Sequence, residues 1–155
     1  MIKTNAMRLL ETAEIAYTAR EYDVSDGEIS GTAVAAKLEQ EPERVFKTLV
    51  TEGKNGGLYV FVIPSNAELD LKKAAAAVGD KSIKMIKARE LLPQTGYIHG
   101  GCSPIGMKKM YPTYIDETAQ LFDTVFVSGG KVGLQIALTP NDLIKISKAK
   151  YSTLT

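Results

Sequence analysis

The chain has 155 residues, 45% hydrophobic and 24% charged, with a formal net charge of +1. That fits one soluble globular domain spanning 1–155, and it excludes a global field drawing in nucleic acid or a membrane, so any polyanion site is a local patch. One cysteine excludes an internal disulfide and suits a reducing cytoplasm, and with one histidine it is too few for a soft-ligand zinc site.

The N-terminus turns polar at once, without the apolar core of a signal peptide, and no apolar run approaches membrane-spanning length. A cytoplasmic setting is expected. Thr4 and Asn5 cap a first helix carrying Met7, Leu10 and Ile15 on one side. Tyr17 to Tyr22 reads as extended, and Asp23-Val24-Ser25-Asp26-Gly27 as a turn. Ser30-Gly31-Thr32 starts a second helix, stopped by Pro42. Arg44 to Thr51 and Leu58 to Ile63 form strands around the Lys54-Asn55-Gly56-Gly57 hairpin signal. Asp70 caps a helix from Leu71 to Val78, with Gly79 as its stop. A short strand at Ser82 to Ile86 and a brief helix from Ala88 to Leu92, ended by Pro93, come next. Strands follow at Thr113 to Ile115 and Thr124 to Val127, and Val132 to Leu138 alternates like a half-buried strand. Thr139 caps a last helix with Pro140 at its first position, and the tail beyond it carries no signal. Strand–helix alternation is irregular, which favours an α+β fold with a curved, mostly antiparallel sheet and peripheral helices over a doubly wound parallel sheet.

The densest stretch is Thr95 to Lys109, which holds the only histidine, the only cysteine and Gly100-Gly101. Adjacent glycines let backbone N–H groups approach a ligand, although a tight connection between strands needs glycines too. Lys47 lies in an apolar strand between Phe46 and Thr48. It is a snorkelling surface lysine or, if it faces a cleft, a binder of phosphate, carboxylate or carbonyl oxygen. Cys102 lacks an evident base and orienting group, so a small buried hydrophobe is the favoured reading. Ser103 is no nucleophile elbow, because Gly-x-Ser-x-Gly needs glycine where Ile105 stands. Gly129-Gly130-Lys131 lacks the P-loop spacing. Lysine clusters at 72–73, 81–87, 108–109 and 145–150 are solvated faces unless they converge on a nucleic-acid backbone.

Six motifs stand in order: Val45-Phe46-Lys47-Thr48-Leu49, Leu69-Asp70-Leu71-Lys72-Lys73, Thr95-Gly96-Tyr97, Gly100-Gly101-Cys102-Ser103-Pro104-Ile105-Gly106, Lys108-Lys109, and Val127-Ser128-Gly129-Gly130-Lys131-x-Gly133-Leu134. Together they resemble the YbaK/EbsC family, which is related to the editing domain inserted in bacterial prolyl-tRNA synthetases. The resemblance covers nearly the whole chain. It implies hydrolysis of the ester joining a wrong amino acid, chiefly cysteine, to the 3′ end of tRNA(Pro). It implies no cofactor or metal, and prolyl-tRNA synthetase as a possible source of tRNA identity. It places the family's strand lysine at Lys47, its glycine loop at Gly100 and Gly101, its late-strand serine at Ser128 and its N-terminal strand tyrosine at Tyr22. Cys102, Ser103 and Gln135 join the expected substrate-binding set. Gln135 departs from the pattern, standing where relatives carry an aspartate. The resemblance also implies that a cysteinyl substrate's own thiol attacks its ester, making Cys102 dispensable. Alternative readings are a non-catalytic module binding tRNA ends or a synthetase, a sister deacylase preferring alanine, and a small-molecule hydrolase using Cys102 or Ser103.

Overall fold

The computed structural model describes residues 2–155. Helices α1 (Asn5–Thr12), α2 (Gly31–Lys37), α3 (Leu71–Val78), α4 (Ala88–Thr95) and α5 (Pro140–Ser147) surround two sheets. The strands are β1 (Thr18–Glu21), β2 (Phe46–Gly53), β3 (Leu58–Pro64), β4 (Ile83–Met85), β5 (Thr113–Asp116), β6 (Val125–Ser128), β7 (Leu134–Leu138) and β8 (Lys150–Ser152).

The smaller sheet has the order β1-β7-β6 and is antiparallel throughout. The larger has the order β4-β2-β3-β5-β8. Its β2–β3 and β2–β4 ladders are antiparallel, whereas β3–β5 and β5–β8 are parallel. The expected curved, mostly antiparallel sheet is built as two sheets, joined where Val45 forms a parallel bridge to Phe126.

Local chemistry accounts for most element ends. Asp70 accepts from the Lys72 and Lys73 N–H groups at 3.0 Å each, and Gly79 ends α3 at φ +74°. Both are the caps read from the sequence. Three expectations need correction. Pro93 does not stop α4; the helix runs to Thr95 and closes at Gly96 (φ +87°), whose N–H donates to the Leu92 carbonyl at 2.8 Å. A proline this near the end forfeits one N–H without having to support a following turn. β7 is buried at all five positions rather than alternately exposed, because it is the central strand of its sheet. Leu134, Ile136 and Leu138 pack with Ala6, Met7 and Leu10 of α1, while Ala137 packs with Val34, Ala35 and Leu38 at α2. The tail forms β8, held at its end by the Leu154 N–H on an Asp116 carboxylate oxygen at 3.0 Å.

Candidate functional site

One edge of β2 carries β3. The other carries β6 at Val45 and β4 at residues 51–53, leaving positions 46–49 with no ladder partner on that side. A cavity of about 170 Å³ opens there, between the two sheets. Neighbouring strand residues point to opposite faces. Lys47 and Thr48 nonetheless both line the cavity, because it follows the strand edge rather than one face.

β2 therefore delivers Lys47, half-buried and without an ion-pair or hydrogen-bond partner among the described residues. The smaller sheet delivers Ser128, Gln135 and Tyr22. Gln135 is paired across the strands with Ser128 on one side and Arg20 on the other. The Tyr22 N–H continues the β1–β7 ladder to the Gly133 carbonyl at 3.0 Å. Directly opposed residues, and residues two apart, share a sheet face, so the three side chains lie together. The Ser128 hydroxyl oxygen accepts from the Gly130 N–H at 3.2 Å, which leaves its proton available to a ligand.

The glycine loop closes the cavity, but its two glycines do different things. Gly100 (φ +85°) lines the cavity, and a side chain there would meet Ile29 Cδ1 at 2.9 Å. Gly101 lies beneath the neighbouring turn, where an added Cβ would come within 2.9 Å of the Val132 amide nitrogen. Its N–H is engaged by the Ile98 carbonyl at 3.0 Å, so it is not available as the expected oxyanion donor. Ser103 also departs from its expected place. It is fully buried away from the cavity, and its oxygen accepts from the Ile105 N–H at 3.2 Å to shape the loop.

Cys102 does line the cavity, and burial pushes its thiol up to about 12, against a smaller opposing pull from a hydrogen bond with Thr95. A thiol that keeps its proton is a poor nucleophile. His99 lines the same cavity from an exposed position.

The two glycine-bearing turns share an anchor. The Thr4 hydroxyl donates to the Gly129 carbonyl at 2.6 Å while accepting from the Met7 N–H, and the Asn5 amide donates to the Gly106 carbonyl at 3.2 Å. Tyr97 fixes the loop further through its hydroxyl on the Ile105 carbonyl. Sequence reasoning reads Thr4 and Asn5 only as caps, and it misses Thr48, Ile29 and Leu91 as cavity lining. Nothing local marks these positions; they meet through contacts distant in sequence.

The arrangement can hold an anion or a polarised carbonyl at Lys47 and Gly100 beside a row of neutral polar groups. Among the described residues there is no group of three or more metal-ligating side chains. Among the described residues no helix is long and apolar enough to cross a membrane.

The family model described as an aminoacyl-tRNA editing domain matches residues 30–146. EbsC of Enterococcus faecalis, named as a candidate Cys-tRNA(Pro)/Cys-tRNA(Cys) deacylase, is 46% identical over 99% of this chain and 93% of its own. Proline–tRNA ligase of Thermosipho africanus is 32% identical over half of this chain and 14% of the ligase. A crystal structure of a candidate trans-editing enzyme for prolyl-tRNA synthetase superposes with a TM-score of 0.85 at 25% identity, covering 100% of this chain and 99% of the other. By the family match over most of its length and by the near full-length relative EbsC, the chain belongs to the aminoacyl-tRNA editing domain family.

Proposed function

We propose that this chain is a trans-editing deacylase that hydrolyses the ester joining cysteine to the 3′ end of tRNA(Pro), acting from the cytoplasm as one editing unit spanning residues 1–155. The observation that carries this reading is the meeting of Lys47 and Gly100 at one small cavity whose only thiol stays protonated. An aminoacyl ester is already activated, so positioning and charge stabilisation suffice without a protein nucleophile. Lys47 binds the terminal phosphate or polarises the ester carbonyl, and the Gly100 backbone faces the oxygen as negative charge develops on it. The substrate's thiol sulfur attacks its own carbonyl carbon. The ester C–O bond breaks, the thiol proton passes to the departing ribose oxygen, and water opens the resulting thiolactone to free cysteine.

The cavity size supports a small amino acid, since about 170 Å³ lies below the roughly 300–1,000 Å³ of sites for drug-sized ligands. Size alone discriminates weakly, because one methylene is worth only about 1–3 kcal/mol. Slow hydrolysis of Ala-tRNA(Pro) is therefore part of this reading, and a sister preference for alanine is its nearest rival. Prolyl-tRNA synthetase is the proposed source of tRNA identity, on the strength of the domain shared with a proline–tRNA ligase.

The test is a deacylation time course on Cys-tRNA(Pro) and Ala-tRNA(Pro) with wild type and Lys47→Ala. Rapid loss of cysteine with wild type alone is expected. Preferential loss of alanine moves the specificity. Intact esters with folded protein overturn the enzyme reading in favour of a binding module.

A further inference from the structure

The formal charge of the whole chain is only +1, but its charges are unevenly spread. Residues 81–111 hold six lysines and arginines against one acid, Glu90, whereas residues 21–43 hold seven acids against one lysine, Lys37. All six of those cations and all seven of those acids are exposed. Both segments border the cavity beside β2, the first through Leu91, His99 and Gly100, the second through Tyr22, Ile29 and Gly31. The cavity therefore opens between a basic rim and an acidic one.

The fold gathers the basic rim around α4. The chain leaves β4 with Lys84 on it, the Ile86 N–H donates to the Val50 carbonyl at 3.3 Å, and α4 follows with Lys87 at its cap and Arg89 in its first turn. Lys108 returns from the far side of the glycine loop to the other end of the helix. Its N–H donates to the Thr95 carbonyl at 3.0 Å and its Nζ to the Pro93 carbonyl at 3.3 Å. Lys109 shares a hollow with Glu90 and Gln94 of α4 and with Glu52 of β2. Two acids thus stand beside these cations, but among the described residues no salt bridge ties any of the cations to a carboxylate. Like charges gathered at one rim repel, and a polyanion relieves that repulsion while its own counterions are released. On the acidic rim the lone lysine is already engaged: Lys37 Nζ donates to the Asp26 carboxylate at 2.8 Å and to the Asp23 and Glu28 carbonyls at 2.7 and 2.9 Å.

We propose that the α4 rim, with Lys84, Lys87, Arg89, Lys108 and Lys109, is the track for the phosphate backbone of the RNA whose 3′ end enters the cavity, and that the acidic 21–43 rim bars the backbone from the opposite side. The inference rests on the deacylase reading above, which supplies an ester carried on RNA, and adds the direction from which that RNA arrives. Lys47 and Gly100 take the terminal residue, and the rim takes the phosphates behind it. Such contacts position a nucleic acid without reading its sequence. The exposed lysines of α3 and α5, Lys72, Lys73 and Lys145, line no part of the cavity and lie outside the track.

The test measures binding of uncharged tRNA(Pro) by filter retention across a salt series. It compares wild type, Arg89→Gln/Lys108→Gln and a control of equal net charge, Lys72→Gln/Lys145→Gln. The rim variant is expected to bind at least about tenfold more weakly near physiological salt and to lose about 1.4–1.8 from the slope of log K against log salt, two contacts at about 0.7–0.9 each. The control is expected to stay within about twofold of wild type. On Cys-tRNA(Pro) the rim variant's loss is expected in KM with kcat retained, and the cysteinyl ester of adenosine alone, which has no backbone, is expected to be cleaved as wild type cleaves it. Glu21→Gln/Glu28→Gln is expected to bind tRNA(Pro) equally or more tightly; weaker binding would put the RNA on the acidic rim and overturn the track. Equal weakening in the rim variant and the control would reduce the effect to net charge and also overturn it, as would undiminished binding by the rim variant or no binding by wild type. Thermal midpoints check folding, and if the double variant melts early, Arg89→Gln, which removes only an exposed charge, carries the same test at half the change in slope. If the rim variant binds weakly while wild type leaves Cys-tRNA(Pro) intact, the track stands and the deacylase reading falls. If wild type hydrolyses the ester and the rim variant binds tRNA(Pro) as wild type does, the track falls and the deacylase reading stands.

Discussion

The two sheets meet at one cavity but bring different chemistry to it. The five-stranded sheet contributes a charge, Lys47, from a strand edge that no neighbour covers. The three-stranded sheet contributes neutral polar groups, Ser128, Gln135 and Tyr22, from a face that is otherwise core. An uncovered edge leaves a lysine free without burying its charge, whereas a buried face keeps polar side chains only where something satisfies them. Changes on the first side should therefore act on turnover, and changes on the second on what is recognised.

The sharpest way to break this division is Lys47→Ala. Loss of the site's cation should lower kcat/KM on Cys-tRNA(Pro) by about 10²–10³-fold, the range for removing one strong transition-state contact, with the thermal midpoint little changed because Lys47 has no partner to orphan. A loss no larger than that of Ser128→Ala would erase the contrast. The paired glycines give the next effect. Gly101→Ala forces a Cβ against the backbone of Lys131 and Val132 at 2.9–3.0 Å, so its midpoint should fall further than that of Gly100→Ala. Gly100→Ala meets the flexible end of Ile29 closely and Val132 Cγ2 at an ordinary 3.4 Å, plus about 1–2 kcal/mol for a side chain at φ +85°, and its main deficit should be in turnover. Parallel melting and rate measurements separate the two.

A smaller effect concerns alkaline pH. Folded Cys102 keeps its proton to about pH 12, while the unfolded thiol releases it near 9.0. Between those values the native state binds more protons than the unfolded one, so stability is fully present below pH 9 and falls as pH rises, by about 1.4 kcal/mol per pH unit from this group. Urea midpoints between pH 8 and 11 should decline less steeply in Cys102→Ala than in wild type. The smallest expected effect is on the same variant's turnover, which should stay within about twofold of wild type for a thiol that is not a nucleophile; a collapse with the fold intact would return Cys102 to the chemistry.

Local signals carried most of the element map. Asp70 and Gly79 bracket α3, and Thr139 with Pro140 starts α5, because caps and turn residues act within a few positions. β8 was not legible: three residues form a strand only because β5 waits beside them. The split into two sheets was hidden for the same reason, since it depends on which edge of β2 receives β4 and which length is left bare. At the site, the ordered motifs hold Lys47, Gly100 and Ser128, the wider resemblance adds Tyr22 and Gln135, and all five line one cavity. Ser103 and Gly101 were named for their place in the same motif, but they serve the loop's shape. A motif records neighbours in sequence, and alternate backbone positions in a tight loop face opposite ways. Thr48 escaped notice because a threonine in a strand is ordinary until its hydroxyl is found buried and alone.

The hydrogen bonds from Thr4 and Asn5 run to two turns more than twenty residues apart in sequence, at Gly129 and Gly106. One helix start thus works as a common fastener for both walls of the site. Whatever lifts the first turn of α1, whether a bound partner or a fused segment, should loosen the Gly100 loop and the Ser128 turn in step. Access to the cavity would then be governed from outside it, by a stretch of chain that precedes the matched family segment and touches no substrate.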